Sequence, residues 1–139
     1  MEIPRIGVVG MGGFAQSHRQ YVAKVEEAGL GRQVAQVAIP LDQEHYAADL
    51  ALLRERGVQI FASLREMLAR RRGQLEIVCI PTGIPLHRPM TVMALEAGCH
   101  VLVEKPAAGS IQDFDAMEAA RQKAGLHCAV GYQHLYRPE

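Results

Sequence analysis

Short apolar runs alternate along the chain with longer segments in which apolar residues recur at helical spacing. The apolar runs lack polar alternation, which is typical of strands covered on both faces of a parallel sheet. They lie at residues 5–10, 33–39, 58–61, 76–80, 100–104 and 127–132. Helical patterns fill the intervals at residues 14–28, 43–56, 64–72, 88–97 and 111–124. This alternation predicts an α/β fold with a doubly wound, mostly parallel six-stranded sheet and helices on both faces.

Two kinds of residue mark the ends of the predicted helices. Ser63 with Glu66, and Ser110 with Asp113, have the spacing of an N-terminal capping box, in which aspartate is the weaker partner. A glycine follows each helical pattern, where a left-handed C-terminal cap is expected. These glycines are Gly29, Gly57, Gly73, Gly98 and Gly125. With no linker or low-complexity segment between elements, we expect residues 1–139 to form one domain.

The charge balance and the N-terminus narrow the classes of function. Fifteen basic residues balance fifteen acidic ones, so no net field attracts nucleic acid or an anionic membrane. Residues 1–10 lack the basic and apolar regions of a signal peptide. No window approaches the roughly 18 apolar residues of a membrane span. We therefore expect a cytoplasmic protein that binds neither nucleic acid nor a membrane.

The cysteines Cys79, Cys99 and Cys128 form no CxxC pair and lie in or beside apolar runs. This placement favours small buried hydrophobic residues in a reducing cytoplasm, and a catalytic thiol is the alternative. The histidines have no metal-ligand spacing, and the adjacent residues His127 and Cys128 should face opposite sides of their strand. We therefore expect no metal site.

The first predicted strand runs into a glycine-rich turn, GMGGFAQSH, at residues 10–18. Gly10, Gly12 and Ala15 match the pattern G-x-G-x-x-A, and Gly13 and Phe14 complete the turn. The glycines allow a tight turn and a close approach of pyrophosphate, and the small third residue lets the helix pack on the strand. The phosphates would meet N–H groups at the positive end of the helix dipole. The turn therefore predicts a nucleotide site, and a simple chain reversal is the alternative.

A dinucleotide site also needs an acidic residue near the end of the second strand, for the adenosine ribose. The first acid after that strand is Asp42, which follows Pro40 and Leu41. Asp42 is predicted either to bind the ribose hydroxyls or to cap the next helix. No arginine or lysine lies between residues 33 and 53 to bind a 2′-phosphate, which favours NAD over NADP.

The fourth predicted strand ends in a proline-rich turn that contains Pro81, Thr82, Gly83 and Pro85. His87 follows it at the start of the next helix. A helix N-terminus disfavours the charged form of histidine, so we expect a neutral ring that forms hydrogen bonds. The alternative is a proline-rich connection with a histidine that caps the helix.

The fifth predicted strand ends in Glu104, Lys105 and Pro106. Ligands of open α/β sheets bind at the carboxyl ends of the strands, where the glycine turn and the proline-rich turn also lie. Pro106 keeps Lys105 out of the helical region and so fixes its direction. A strand-end ion pair with a snorkelling lysine is the alternative.

Four segments together resemble the glucose–fructose oxidoreductase, inositol dehydrogenase and rhizopine catabolism (Gfo/Idh/MocA) family. They are GVVGMGGFAQSH, VCIPTGIPLH, ALEAGCHVLVEKPAAGS and VGYQHLYRP, and they extend over essentially the whole chain. The resemblance implies a Rossmann fold and an NAD(P)-dependent oxidoreductase acting on sugars, cyclitols or related hydroxy compounds. It places Lys105 beside the nicotinamide, where its ammonium would stabilise charge on the substrate oxygen. It also implies that Glu104 orients neighbouring groups and that a cis peptide bond precedes Pro106.

The sequence departs from the family pattern in two ways. The acid after the second strand is displaced to Asp42, which leaves both NAD and NADP open. Family members also continue past the sixth strand into a second domain with most substrate contacts and commonly the subunit interface. We therefore expect residues 1–139 to be an NAD(P)-binding domain that meets a polyol substrate, and a possible homo-oligomer partner, through a domain absent from this chain. The alternative is a standalone nucleotide-binding or interaction module without turnover.

Overall fold

The computed structural model describes residues 2–138 and contains one parallel sheet of six strands. The strands are β1 (Arg5–Val9), β2 (Arg32–Val37), β3 (Gln59–Phe61), β4 (Ile77–Ile80), β5 (His100–Val103) and β6 (Cys128–Val130). They are ordered β3-β2-β1-β4-β5-β6, and every neighbouring pair is parallel. The chain therefore starts in the middle of the sheet, builds outward to β3, and crosses back to β4. This is the doubly wound order that the alternation of patterns predicted, and the fold prediction is confirmed.

Helices connect all of the strands. They are α1 (Phe14–Glu27), α2 (Pro40–His45), α3 (Ala47–Glu55), α4 (Leu64–Arg70), α5 (Ile84–Glu96) and α6 (Ile111–Ala124), followed by a 3-10 helix (Gln133–Tyr136). Apolar residues of α4, α5 and α6 pack with one set of strand residues, whereas α1 and α3 pack with other sets. The sheet is thus covered on both faces, which explains why its strands are apolar throughout.

Adjacent residues of one strand pack into different apolar clusters, one on each face of the sheet. Val8 of β1 and Cys79 of β4 are buried with Val22 of α1. Their chain neighbours Val9 and Val78 are buried in the larger cluster that includes α4 and α5. The period of two along a strand produces this division, because successive side chains point to opposite faces.

Two helix starts differ from the sequence prediction. The segment predicted as one helix over 43–56 forms two helices that meet at Tyr46, and the first begins at Pro40. The helix predicted over 88–97 begins at Ile84 and contains Pro85 in its first turn. In both cases a proline that lay outside the predicted helix, Pro40 or Pro85, lies at its N-terminal end. Proline fits there because the first N–H groups of a helix have no intrahelical acceptor.

The predicted helix ends are otherwise confirmed. Ser63 Oγ accepts the Glu66 N–H at 3.1 Å, and Ser110 Oγ accepts the Asp113 N–H at the same distance. The glycines predicted to end helices all have positive φ, between 66° and 87°. The strands are shorter than the apolar runs: β2 ends at Val37, and β6 covers only Cys128–Val130. The remaining residues of these runs leave the sheet and contribute to the loops at its edge.

Candidate functional site

The loops after β1, β2, β4 and β5 meet at the carboxyl edge of the sheet, as predicted. Parallel strands place these loops on one edge, and the central position of β1 and β4 puts their loops side by side. Two backbone hydrogen bonds extend the strand pairing into this edge. Gly10 donates to the Val37 carbonyl at 2.9 Å, and Glu104 donates to the Ile80 carbonyl at 3.1 Å. These bonds fix the glycine turn and the residue before Lys105 to the ends of neighbouring strands at this edge.

The glycine turn presents free N–H groups at the start of α1. Ala15 and Gln16 donate to the carbonyls of Gly12 and Gly13, both at 3.1 Å. The N–H groups of Gly13 and Phe14 have no protein acceptor within residues 2–138. A Cβ built on Gly13 would meet nothing within 4 Å, so the space in front of these donors is open. This arrangement suits a phosphate group.

Gly12 has a second reason to be glycine that the sequence did not reveal. A Cβ at this position would overlap the hydroxyl group of Tyr46, which reaches the turn from the junction of α2 and α3. Tyr46 also packs against the apolar cluster of Met11, Leu50 and Val58. Because of this contact, a side chain at residue 12 would have to displace the Tyr46 hydroxyl whether or not a ligand is present.

Two polar side chains that the sequence analysis missed hold the turn in place. Gln36 of β2 is completely buried and donates from Nε2 to the Gly10 carbonyl at 2.7 Å. Arg19 of α1 donates to the Met11 carbonyl at 3.0 Å and pairs with Asp49 of α3. Both carbonyls would otherwise point into the protein without a donor, which is costly. In the sequence, the sign of such a contact was Gln36, a glutamine in the middle of an apolar strand pattern.

Asp42 lies in the first turn of α2, on the side of the glycine turn where β2 ends. The N-cap residue of that helix is Ile39, and no side chain caps it. The interpretation of Asp42 as a helix cap is therefore wrong. Asp42 remains a candidate ribose ligand, and the exposed apolar side chains of Ile39 and Leu41 flank it.

His87 joins the loops after β4 and β5. Its side chain is buried, with Nε2 2.7 Å from the Thr82 carbonyl oxygen and Nδ1 2.8 Å from the Pro106 carbonyl oxygen. Carbonyl oxygens only accept, and a neutral imidazole carries a single N–H, so a ring in that form could donate to one of the two carbonyls at a time. Pro81 is buried beneath this junction.

Lys105 is exposed at the carboxyl edge and forms no ion pair within residues 2–138. The Glu104 carboxylate instead accepts from His18 Nε2 at 3.0 Å and from the Lys105 backbone N–H at 3.0 Å. The strand-end ion pair between Glu104 and Lys105 is therefore not formed. The peptide bond between Lys105 and Pro106 is cis, as the resemblance implied.

A groove of about 540 Å³ lies beside α1 on the face of the sheet rather than at its carboxyl edge. Its walls are mostly apolar and come from α1, β1, β4 and β5. His18 and Glu104 form part of its lining, and they are its link to the site around Lys105. The glycine turn does not contribute to this groove.

The cysteines are free, and their surroundings disfavour thiolate chemistry. Burial raises the pKa of the Cys79 thiol to about 12 and that of Cys99 to about 11. Burial also raises the pKa of Cys128. Within residues 2–138, no three His, Cys, Asp or Glu side chains are grouped to hold a metal ion. No helix in this part of the chain combines the length and apolar character of a membrane span.

A family model agrees with this geometry. The model of the Gfo/Idh/MocA oxidoreductase family, described as having an NAD-binding Rossmann fold, matches residues 4–132. The chain belongs to this family. The match includes the glycine turn, the His87 junction and Lys105, so the resemblance seen in four segments holds along the domain.

Characterised members of the family align with nearly the whole chain. The 4-carboxy-2-hydroxymuconate-6-semialdehyde dehydrogenase of Sphingobium sp. is 28% identical over 96% of the chain, which covers 40% of that enzyme. The inositol 2-dehydrogenase of Corynebacterium glutamicum is 27% identical over 97% of the chain, which covers 38% of that enzyme. The WlbA dehydrogenase of Chromobacterium violaceum, solved with NADH and UDP-GlcNAcA, superposes on 96% of the chain with a TM-score of 0.80 and 30% identity, and the chain covers 36% of it. The chain spans well under half the length of these relatives.

Proposed function

We propose that residues 1–139 are the cofactor domain of a dehydrogenase that transfers a hydride between nicotinamide and a sugar, a cyclitol or a related hydroxy compound. The observation that carries this proposal is that, within residues 2–138, N–H donors without an acceptor and an exposed Lys105 without an ion pair share one edge of the sheet. Relatives that act on inositol and on nucleotide sugars support the substrate class. The length of the relatives supports a second domain with the substrate contacts and a subunit interface.

The dinucleotide would lie along the carboxyl edge with its pyrophosphate at the glycine turn. The open N–H groups of Gly13 and Phe14 are at the centre of this edge, between the ends of β2 and β4. The adenosine half would then extend toward Asp42, and the nicotinamide half toward Thr82 and Lys105. The full set of proposed cofactor contacts is Gly10, Gly12, Gly13, Phe14, Ala15, Asp42, Pro81, Thr82, His87, Glu104 and Lys105.

A bound nicotinamide supplies the hydride chemistry, and the protein supplies position and charge. Lys105 would place its ammonium beside the substrate oxygen, where negative charge grows as the hydroxyl proton leaves ahead of the hydride, or as a hydride arrives at the carbonyl carbon in the reverse direction. An ammonium fixed at that point stabilises the transition state more than the ground state. The base that accepts the hydroxyl proton would belong to the second domain.

We propose NAD rather than NADP as the preferred cofactor. The segment from residue 33 to residue 53 contains no arginine or lysine to neutralise a 2′-phosphate. The Asp42 carboxylate would accept hydrogen bonds from ribose hydroxyls and would repel that phosphate. The free cysteines support a reducing, cytoplasmic setting.

Phe14→Asp and Phe14→Asn form a matched pair that tests the pyrophosphate position. Phe14 is 61% exposed at the first position of α1, so either change removes little packing. The two variants differ by one charge, and repulsion of a pyrophosphate roughly 6 Å away should cost about 1–2 kcal/mol, roughly tenfold in affinity. The fold should tolerate the aspartate, because an acid is favourable at a helix N-terminus.

Calorimetry with NADH would measure the affinity of both variants and of the wild type. We expect Phe14→Asp to bind about tenfold more weakly than Phe14→Asn. Equal affinities would contradict the pyrophosphate position, and no NADH binding by the wild type would favour an interaction module. Titration of Asp42→Ala with NADH and NADPH extends the test, since loss of the acid should reduce the preference for NADH.

A further inference from the structure

The Glu104 carboxylate is enclosed by three elements at the end of β5. His18 of α1 donates from Nε2 to Oε1 at 3.0 Å, and the Lys105 N–H donates to Oε2 at 3.0 Å. The His18 and Glu104 side chains are only 7% and 14% exposed. Both carboxylate oxygens therefore have a donor, as a charge this deeply placed requires.

Gly131, which directly follows β6, provides the third wall. A Cβ on Gly131 would lie 2.8 Å from Glu104 Oε1 and 3.2 Å from Cδ. Gly131 does not have the positive φ that favours glycine, so the close approach of the carboxylate is what excludes a side chain there. His18, Glu104 and Gly131 thus form a single packed unit, which we call the Glu104 cradle.

The Glu104 cradle connects the pyrophosphate and nicotinamide parts of the proposed cofactor site. His18 lies on the buried face of α1 with Ala15, one turn after the glycine turn. Glu104 immediately precedes Lys105, and its second oxygen holds the Lys105 backbone. The rigid first turns of α1 therefore link the position of the phosphate donors to that of the lysine.

We propose that His18 is a positioning residue that fixes Lys105 relative to the bound dinucleotide by holding the Glu104 carboxylate. This inference rests on the proposed function, because it takes Lys105 as the group beside the nicotinamide. Glu104 is also a positioning residue. Both of its carboxylate oxygens accept hydrogen bonds and its side chain is little exposed, so it orients the Lys105 backbone and does not exchange protons with substrate.

Three variants perturb the cradle in matched ways, and a fourth is a control outside it. His18→Ala removes the donor, whereas His18→Gln replaces Nε2–H with an amide N–H at a similar distance from the backbone. Gly131→Ala pushes on the same carboxylate from β6 without altering α1. His134→Ala is the control, since His134 is an exposed histidine in the 3-10 helix.

The readout is the NMR signal of isotopically methylated lysine in the protein with and without NADH. The lysines of the chain are Lys24, Lys105 and Lys123, so the signals can be assigned by lysine-to-arginine variants. Lys24 and Lys123 serve as internal controls, because neither lies at the carboxyl edge. Urea unfolding of each variant establishes that it is folded at the temperature of the measurement.

We expect the NADH-induced shift of Lys105 to fall about threefold or more in His18→Ala and Gly131→Ala, and to be retained in His18→Gln and His134→Ala. The controls Lys24 and Lys123 should not change. An unchanged Lys105 response in folded Gly131→Ala and His18→Ala would overturn the positioning role while leaving the proposed function intact. If the Lys105 signal of the wild type does not shift when NADH binds, Lys105 does not lie beside the nicotinamide, and the positioning role of His18 is overturned as well.

Discussion

His87 offers a quantitative test of how the loops of the candidate site are held. Its ring lies between the carbonyl oxygens of Thr82 and Pro106, at 2.7 and 2.8 Å, and only 1% of the residue is exposed. Substitution by leucine keeps a side chain of similar volume but removes every donor. The carbonyl that accepts the ring N–H would then lose its donor at a partly buried position.

The cost depends on the number of polar groups left without a partner. A buried carbonyl that loses its donor costs about 1–3 kcal/mol, a neutral imidazole has one N–H to lose, and leucine adds little cavity energy, so His87→Leu should cost about 1–3 kcal/mol. His87→Gln offers an amide with N–H donors at one end and should recover about half of that loss. A domain of this size has a free energy of unfolding of about 5–15 kcal/mol, so the effect is large but measurable.

Urea unfolding followed by circular dichroism would measure these free energies, with His134→Leu as an exposed control expected within about 0.5 kcal/mol of the wild type. Calorimetry would show in addition whether NADH binds more weakly, because Thr82 and Pro106 flank the proposed nicotinamide position. A His87→Leu variant as stable as the control would refute the idea that His87 ties the two loops together.

Three further predictions address charge and thiol chemistry. In the full-length protein, Lys105→Met should lower kcat and kcat/KM together by about a hundredfold at nearly unchanged NADH affinity, and near-normal turnover would make Lys105 an ordinary strand-end lysine. Cys79 and Cys99 should be alkylated at about pH 8 only after denaturation, because burial raises each thiol pKa well above that pH, and rapid labelling of the folded protein would contradict this. The hydrogen bonds from Arg5 lower the pKa of Glu76, so Glu76→Gln should destabilise the protein above the unfolded-state pKa. That difference should shrink as the pH falls through the lower folded-state pKa, and a pH-independent difference in urea midpoints would be the contrary result.

The architecture was predictable from the chain because it depends on local patterns. Apolar runs without alternation identify strands buried on both faces, and helices between them require parallel crossovers. Once all strands are parallel, the loops after them must share one edge. The placement of the Gly10–Ala15 turn and Lys105 on the same edge is therefore a consequence of topology alone, without any knowledge of side-chain contacts.

Helix boundaries near prolines were less predictable for a physical reason. Pro40 and Pro85 are equally compatible with a loop and with the start of a helix. Either structure tolerates the fixed φ of proline and its missing N–H at these positions. The choice depends on tertiary contacts of later residues. Tyr46 lies where α2 ends after six residues, and its ring packs toward Gly12 and Leu50. The local pattern of apolar and polar residues does not reveal such contacts.

Two of the residues that the sequence analysis missed, Gln36 and His18, share one feature: each is a polar side chain at a position that the strand or helical period assigns to the core. Gln36 lies inside a buried strand, and His18 follows Ala15 on the apolar face of α1. Burying such groups without partners is costly, so a polar residue on an apolar face indicates a backbone or side-chain group that needs a donor. Here those groups are the Gly10 carbonyl and the Glu104 carboxylate, which belong to the two loops that carry the candidate chemistry. Apolar packing stabilises the sheet, and the buried donors Gln36 and His18 fix the positions of the loops at its carboxyl edge.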